Sequence, residues 1–146
     1  MLQQKELLKN IIDRVPFISF LDIQIELMDN EISAILPFKP MLIGNNFIRA
    51  LHGGAIGSFL ESVAIIELTW HLNVENLASG TPLNIHIPKT IDFTIDYLSP
   101  GKAKDSFAKA KINRSGKRYA SVSVEAWQGH RGQPFAQATG HFLVAR

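Results

Sequence analysis

Residues 53–72 read GGAIGSFLESVAIIELTWHL and decide the fold. Their apolar side chains cover most of the circumference of a helix rather than a single stripe. A helix that is apolar on nearly all sides is normally buried, so we expect this segment to be the core helix. Glu61 and Glu67 interrupt the apolar run, which argues against a membrane span.

Strand patterns lie on both sides of this helix. Apolar and polar residues alternate strictly before it, and several similar runs follow it, separated by turn-forming residues. The predicted strands are residues 21–27, 31–36, 90–97, 108–112, 120–126 and 135–144. In the strand 90–97 we expect Thr90, Asp92, Thr94 and Asp96 on one face. This order predicts an α+β fold in which one antiparallel sheet wraps around the long central helix.

The remaining segments connect these elements. Residues 1–15 carry the amphipathic pattern of a short N-terminal helix and do not resemble a signal peptide. Residues 37–52 hold prolines, a glycine and asparagines, and predict a loop before the core helix. Residues 73–82 predict a polar connection after it. No repeat or linker interrupts the chain, so we expect residues 1–146 to form a single domain.

The composition excludes several classes of function. The chain has no cysteine, which removes disulfides, cysteine nucleophiles and cysteine-ligated metals. The formal net charge is +2 and the basic residues are spread thinly, so we expect no nucleic-acid partner. His71 and His86 lack the paired spacing of a metal site, and no glycine-rich nucleotide loop is present. We therefore expect a cytoplasmic protein with no metal, cofactor or membrane association.

A candidate anion site lies where His52, Gly53 and Gly54 lead into the core helix. The first amides of a helix have no partner within it, and glycines allow a ligand to approach the backbone closely. Free amides at a helix N-terminus favour negative charge, so the Gly53 amide is a candidate oxyanion-hole donor. The alternative is a tight turn from loop to helix that binds nothing.

Glu61 is the chemically unusual residue of the core helix. A carboxylate among apolar residues is costly unless it has a partner, so Glu61 is a candidate general base or nucleophile. The alternative is a glutamate at the core edge that bonds a backbone group or projects into solvent. Gly53 and Glu61 are about 12 Å apart along the helix, too far to act on one carbonyl carbon. Two antiparallel helices related by a two-fold axis would bring Glu61 of one subunit opposite Gly53 of the other, which predicts a dimer with shared sites.

The spacing of Asn46, the His-Gly-Gly of residues 52–54 and Glu61 resembles the hotdog-fold thioesterases. It is most similar to the group of phenylacetate-pathway and type-2 acyl-CoA thioesterases. Residues 92–101 and 136–142 resemble later strands of that family. The resemblance implies a hotdog fold, hydrolysis of acyl-CoA to a free acid and CoA, and a homodimer or homotetramer. One difference is that close relatives often have aspartate where this chain has Glu61, so direct attack and activation of water both remain open.

The resemblance also implies roles for two polar residues. Asn46, in the loop before the helix, would hold the carboxylate, the attacking water or the thioester. Thr90 matches a strand position where relatives carry a hydroxyl that helps to place water. The alternatives are a simple turn asparagine and an ordinary strand threonine.

Five further residues are candidates for binding the substrate. His52 would orient the loop by hydrogen bonding, and Gly54 would let the substrate approach the backbone. Arg114, Lys117 and Arg118 could meet the phosphates of CoA, although residues 114–117 also read as a plain hairpin turn.

Other functions on the same fold remain open. A hotdog domain that binds acyl thioesters without turnover is the principal alternative. Hydration or dehydration of an enoyl thioester ranks last, because no paired aspartate and histidine supports it.

Overall fold

The computed structural model describes residues 2–83 and 85–144. In chain order the helices are α1 (Leu2–Asp13), α2 (Pro16–Leu21) and α3 (Gly53–Ser79). The strands are β1 (Gln24–Met28), β2 (Glu31–Leu36), β3 (Ile43–Asn45), β4 (Ala50–Leu51), β5 (Lys89–Tyr97), β6 (Ser106–Ser115), β7 (Tyr119–Trp127) and β8 (Ala136–Leu143). Six strands form one sheet in the order β1-β2-β6-β7-β8-β5, and β3 and β4 form a separate two-stranded sheet.

The expected α+β hotdog architecture is confirmed. All neighbours in the six-stranded sheet are antiparallel, and α3 packs against its inner face. Phe59, Leu60 and Val63 of α3 are fully buried. By length and composition α3 could cross a membrane, but more than half of its most apolar window is buried inside the fold, as in a core helix.

The alternation along the strands explains which face of the sheet carries the core. In β7, Val122, Val124 and Ala126 are buried, while Ser123 and Glu125, which alternate with them, are partly exposed. The same alternation holds in β8, so the inner face is apolar and the outer face is polar. On the far side of α3, the expected N-terminal helix α1 buries Leu7 against the same core.

Two predictions before α3 were wrong in part. The strand expected from residue 21 begins at Gln24, because α2 occupies residues 16–21. Pro16 starts this helix, and Asp22 ends it in the left-handed conformation with its amide bonded to the carbonyls of the last turn. The loop expected over residues 37–52 also contains a 3₁₀ turn, Pro40–Leu42, and the short strands β3 and β4.

The core helix is longer than its apolar pattern predicted. It continues to Ser79, so the connection expected over residues 73–82 begins only at Gly80. Asn73 is buried, and its side-chain amide donates to the Thr69 carbonyl oxygen at 2.8 Å, so this polar residue is satisfied within the helix. Gly80 ends the helix with φ 74°, a conformation that glycine adopts at little cost.

Strand β5 forms one edge of the sheet, and a bulge between Thr90 and Asp92 interrupts the alternation of its side chains between the two faces. Thr90 pairs with the fully buried Phe142, whereas Asp92 pairs with the exposed His141. Cross-strand partners share a face, so Thr90 lies on the same face as Phe142, although its own side chain is exposed at the edge of the sheet. The prediction that Thr90 shares a face with Asp92 was therefore wrong, because an extra residue in the bulge shifts the alternation.

Candidate active site

His52 caps the N-terminus of α3. Its backbone is extended, and its Nδ1 accepts a hydrogen bond from the Gly54 amide at 2.8 Å. A Cβ at Gly44 would lie 2.6 Å from the His52 Cα, so only glycine at that position lets the preceding loop approach. The histidine thus fixes the entry of the chain into the helix.

The Gly53 amide lies at the first position of α3. In the part of the chain that the structure describes, it makes no hydrogen bond, whereas the next amide, that of Gly54, is already bonded to His52. No acidic residue lies in the first turn of this helix. The Gly53 amide is therefore free to donate to an anionic oxygen, and the helix dipole adds to its attraction for negative charge.

The loop before the helix presents Asn46 to solvent. Asn45 folds back and accepts hydrogen bonds from the amides of Phe47 and Ile48, so it is the residue that stabilises the turn. Asn46 is exposed, and its side chain has no bonded partner within residues 2–83 and 85–144. The amide of Asn46 is thus available to a substrate or to a second chain.

Arg49 is a residue of this loop that the sequence analysis did not single out. It has a φ of 53°, a left-handed conformation uncommon for a long side chain, and it is exposed between Asn46 and His52. No pattern in the sequence signals this conformation, since the position carries neither glycine nor asparagine.

Glu61 lies two turns further along α3 and is half-buried. Among the described residues it has neither a hydrogen bond nor an ion pair with another side chain or the backbone. Gly53, Gly57 and Glu61 are spaced by four residues, so they lie on one face of the helix. The free amide and the carboxylate thus share a face but remain about 12 Å apart within one chain.

Strand β5 runs along this helix face. A Cβ at Gly53 would lie 3.4 Å from the Tyr97 ring, and a Cβ at Gly57 would lie 2.7 Å from the Ile95 side chain. The two glycines therefore allow the edge strand to lie directly against the first turns of α3. Two strand residues and four helix residues each span about 6 Å, so the next pair along the two elements is Phe93 and Glu61. Thr90 lies beyond Phe93 in the same direction.

The structure does not bring Arg114, Lys117 and Arg118 near Gly53 of the same chain. Arg114 lies in β6 rather than in the turn, and the Arg118 guanidinium stacks over the Tyr119 ring at 5.6 Å. Tyr119 pairs in register with the end of β8 that adjoins Lys89, whereas Tyr97 adjoins the other end. These two ends of β8 are seven residues apart, which is about 23 Å along the strand. The basic hairpin therefore lies at the Thr90 end of the sheet.

A cavity of about 790 Å³ lies on the outer face of the sheet and contains none of the predicted site residues. Pairing between β2 and β6 ends at Ala34 and Ala108, and Glu67 of α3 lines the cavity beside Glu31 and Lys109. Burial raises the pKa of Glu67 to about 7, with Lys109 opposing the rise and Glu31 adding to it. No sequence pattern indicates this environment, because it depends on where two distant strands separate.

Comparisons with known proteins place these features in a family context. The family model described as Thioesterase superfamily matches residues 49–135, which include the His-Gly-Gly segment and Glu61. The medium/long-chain acyl-CoA thioesterase YigI of Escherichia coli (strain K12) is 33% identical over 135 residues, covering 89% of this chain and 86% of that protein.

Solved structures show the same fold. A protein of Chromobacterium violaceum is 34% identical with a TM-score of 0.71, covering 100% of this chain and 98% of that one. The PaaI protein of E. coli, from the phenylacetic acid degradation operon, is 17% identical with a TM-score of 0.77, covering 98% and 94% of the two chains. The second likeness concerns the fold alone.

Proposed function

The chain belongs to the thioesterase superfamily, and we propose that it hydrolyses acyl-CoA thioesters to a free carboxylic acid and CoA in a site shared by two subunits. One observation carries the proposal. Within residues 2–83 and 85–144, the Gly53 amide is free at the start of α3, and Glu61 lies on the same helix face without a partner of its own. An oxyanion donor and an uncommitted carboxylate are the two groups that this reaction needs.

The chemistry follows from these two groups. The thioester carbonyl oxygen would accept a hydrogen bond from the Gly53 amide and become an oxyanion when the carbonyl carbon is attacked. Glu61 would either take a proton from the attacking water or attack the carbon itself and form an anhydride that water then opens. CoA leaves as the thiol, and no cofactor is required. After one turnover in ¹⁸O-labelled water, label in the Glu61 carboxylate would identify the anhydride route.

The open edge of β5 supports a dimer as the active form. This nine-residue strand has an unpaired edge, and Ile91 and Tyr97 on it are about half exposed. Long unpaired edges with apolar residues favour pairing with another chain. Two β5 strands paired antiparallel about a two-fold axis would place the two α3 helices side by side in opposite directions.

The register of this pairing can be worked out from the helix. For Gly53 to lie opposite Glu61 of the other subunit, the axis must pass midway between them, at the level of Gly57. Gly57 contacts Ile95, so we propose that Ile95 faces the same residue of the second subunit. This dimer would bring together two groups that one chain keeps about 12 Å apart. A dimer of dimers would preserve the same pairs of sites.

The other predicted site residues have roles in the proposed dimer. Asn46 and Thr90 would position the thioester and water, Asn46 because it is exposed without a partner and Thr90 because it lies on the same face as Phe142. Arg114, Lys117 and Arg118 would serve the site that includes Glu61 of their own subunit, where they could bind the phosphates of CoA. They lie at the end of the sheet nearest to it.

We propose medium- to long-chain fatty acyl groups as the acyl part. The named E. coli relative acts on such substrates, and Phe47 and Ile48 form an exposed apolar tip beside Asn46. Phe59 is fully buried in the core, so its side chain is not accessible to an acyl group in one chain. We further propose that residues 1–146 act as one domain in the cytoplasm, without nucleic acid or membrane.

Two substitutions test the chemistry. In an assay of thiol release from a panel of acyl-CoA thioesters, Glu61→Gln should lower kcat by a factor of about 10² or more. Gly53→Pro replaces the amide hydrogen with a ring carbon, and proline suits the first helical position after the extended His52. It should lower kcat about 10²- to 10³-fold. Gly53→Ala keeps the amide and makes only an ordinary contact with Tyr97, so it is the matched control.

Mixing the two inactive variants tests the shared site. In a mixed dimer of Glu61→Gln and Gly53→Pro chains, one site would carry both defects and the other would be intact. Random reassociation should therefore restore about a quarter of wild-type activity, because half of the dimers are mixed. No recovery in proven mixed dimers would contradict sharing. Retained acyl-CoA binding without turnover by the wild type would support the non-catalytic alternative instead.

A further inference from the structure

We propose that Tyr97 is a positioning residue that holds the oxyanion donor in place through its hydroxyl group. The inference rests on the proposed function and adds a residue to that site. The Tyr97 hydroxyl donates to the Gly53 carbonyl oxygen at 2.8 Å, although the two residues are 44 positions apart.

The peptide between Gly53 and Gly54 is held on both sides. Its carbonyl oxygen accepts from Tyr97, and its amide donates to Nδ1 of His52, also at 2.8 Å. The two bonds therefore fix the plane of one peptide unit, with the strand β5 on one side and the loop before the helix on the other. That peptide directly follows the Cα of Gly53, whose own amide is free.

The two hydrogen bonds compensate for the backbone flexibility of the two glycines. Gly53 and Gly54 let a substrate approach the backbone, but glycine has more backbone freedom than any other residue. A donor that must meet a developing oxyanion works best when it is already oriented before the reaction. Without a side chain at either position, hydrogen bonds from outside the helix turn add to the orientation that the helix bonds give, and Tyr97 and His52 supply them.

The position of the Tyr97 ring supports the same role. The ring lies 3.4 Å from where a Gly53 Cβ would be, yet about half of the residue is exposed. It thus forms a wall beside the free amide without being part of the core.

Tyr97→Phe separates the hydroxyl from the ring. It should lower kcat about 3- to 10-fold, the rate equivalent of one net hydrogen bond, and leave KM nearly unchanged. In the Gly53→Pro background the same change should have no further effect on kcat, because the donor it positions is gone. Tyr119→Phe, at the other end of the sheet, keeps the ring on which Arg118 stacks, so it is the matched control and should behave as wild type.

Amide hydrogen exchange gives a reading that does not depend on turnover. In Tyr97→Phe the Gly54 amide should exchange several-fold faster, while amides in the middle of α3 keep their protection. An active wild type with an unchanged Tyr97→Phe variant, or equal effects of Tyr97→Phe with and without Gly53→Pro, would overturn this inference and leave the proposed function intact. An inactive wild type would refute the proposed function, and unchanged Gly54 exchange would then refute the holding role as well.

Discussion

Replacing Glu67 by glutamine should make the protein more stable at high pH and leave it unchanged at low pH. Glu67 lies on the core helix, and burial is the largest influence on its carboxyl group. Lys109 of β6 and Glu31 of β2 are the charged groups that act on it, in opposite directions. Lys109 is also paired with Glu31, so its charge is not available to Glu67 alone.

The sign and size follow from the pKa. Burial raises the pKa of Glu67 from 4.5 to about 7, so the folded state holds the proton more tightly than the unfolded chain. Stability from the neutral carboxyl is complete below pH 4.5 and is lost as the pH rises to about 7. At ~1.4 kcal/mol per pKa unit, the ionised group costs about 3 kcal/mol above that pH. Glutamine has the same shape and never ionises.

The assay is urea unfolding of wild type and Glu67→Gln at pH 4.5, 6 and 8, followed by the fluorescence of the buried Trp70 and the partly exposed Trp127. One protein concentration and one ionic strength are used throughout, because association and salt also change stability. The advantage of the variant should grow by about 3 kcal/mol from the lowest to the highest pH. Glu75→Gln, an exposed position on the same helix, should show no such trend.

The result that refutes this reasoning is a free-energy difference between Glu67→Gln and wild type that stays constant with pH. A difference that grows as the pH falls would mean that Glu67 is held ionised by Lys109. Burial would then not be the dominant influence on its pKa.

Three further predictions concern the loop, a turn and the edge strand. Gly44→Ala forces a Cβ against the backbone of His52, so it should lower thiol-release activity at least tenfold and the free energy of unfolding in urea by about 1–3 kcal/mol. Gly129→Ala, whose Cβ meets nothing within 4 Å, is the control and should change neither quantity. Asn30→Gly should raise the unfolding free energy by about 0.5–1 kcal/mol in urea, because Asn30 has a φ of 64° in the two-residue β1–β2 turn. Ile95→Cys should give a disulfide-linked dimer on a non-reducing gel, since the chain has no other cysteine; a chain that stays monomeric under oxidation would contradict the proposed register.

The parts of the fold that sequence could predict depend on local spacing. The all-round apolar pattern identified α3, and strict alternation identified the strands, because both signals come from residues a few positions apart. The end of α3 was missed, since residues 73–79 look polar and Asn73 is satisfied by a bond to Thr69 within the helix. The face of Thr90 was also missed, because the bulge exists only once β5 pairs with β8.

The residues of the candidate site also differ in whether local sequence could identify them. Gly53 and Glu61 stand out in the sequence because a His-Gly-Gly at a helix start and a carboxylate in an apolar helix are each visible locally. Tyr97 does not stand out in the sequence, since its proposed role depends on a hydrogen bond to Gly53, which is distant in the chain. The environment of Glu67 likewise depends on the separation of β2 from β6.

The spacing of Gly53, Gly57 and Glu61 links the chemistry to the assembly. Four-residue steps place the donor, a small residue and the carboxylate on one helix face. The missing side chain at Gly57 lets Ile95 lie against the helix, so the edge strand runs along that face with its outer edge open. The residue midway between donor and carboxylate is thus the one that sets the level of the proposed two-fold axis. In the proposed dimer, a shift of Glu61 by one helical turn would separate it from the partner's Gly53 by about 6 Å, so that dimer requires both this helix spacing and this strand register.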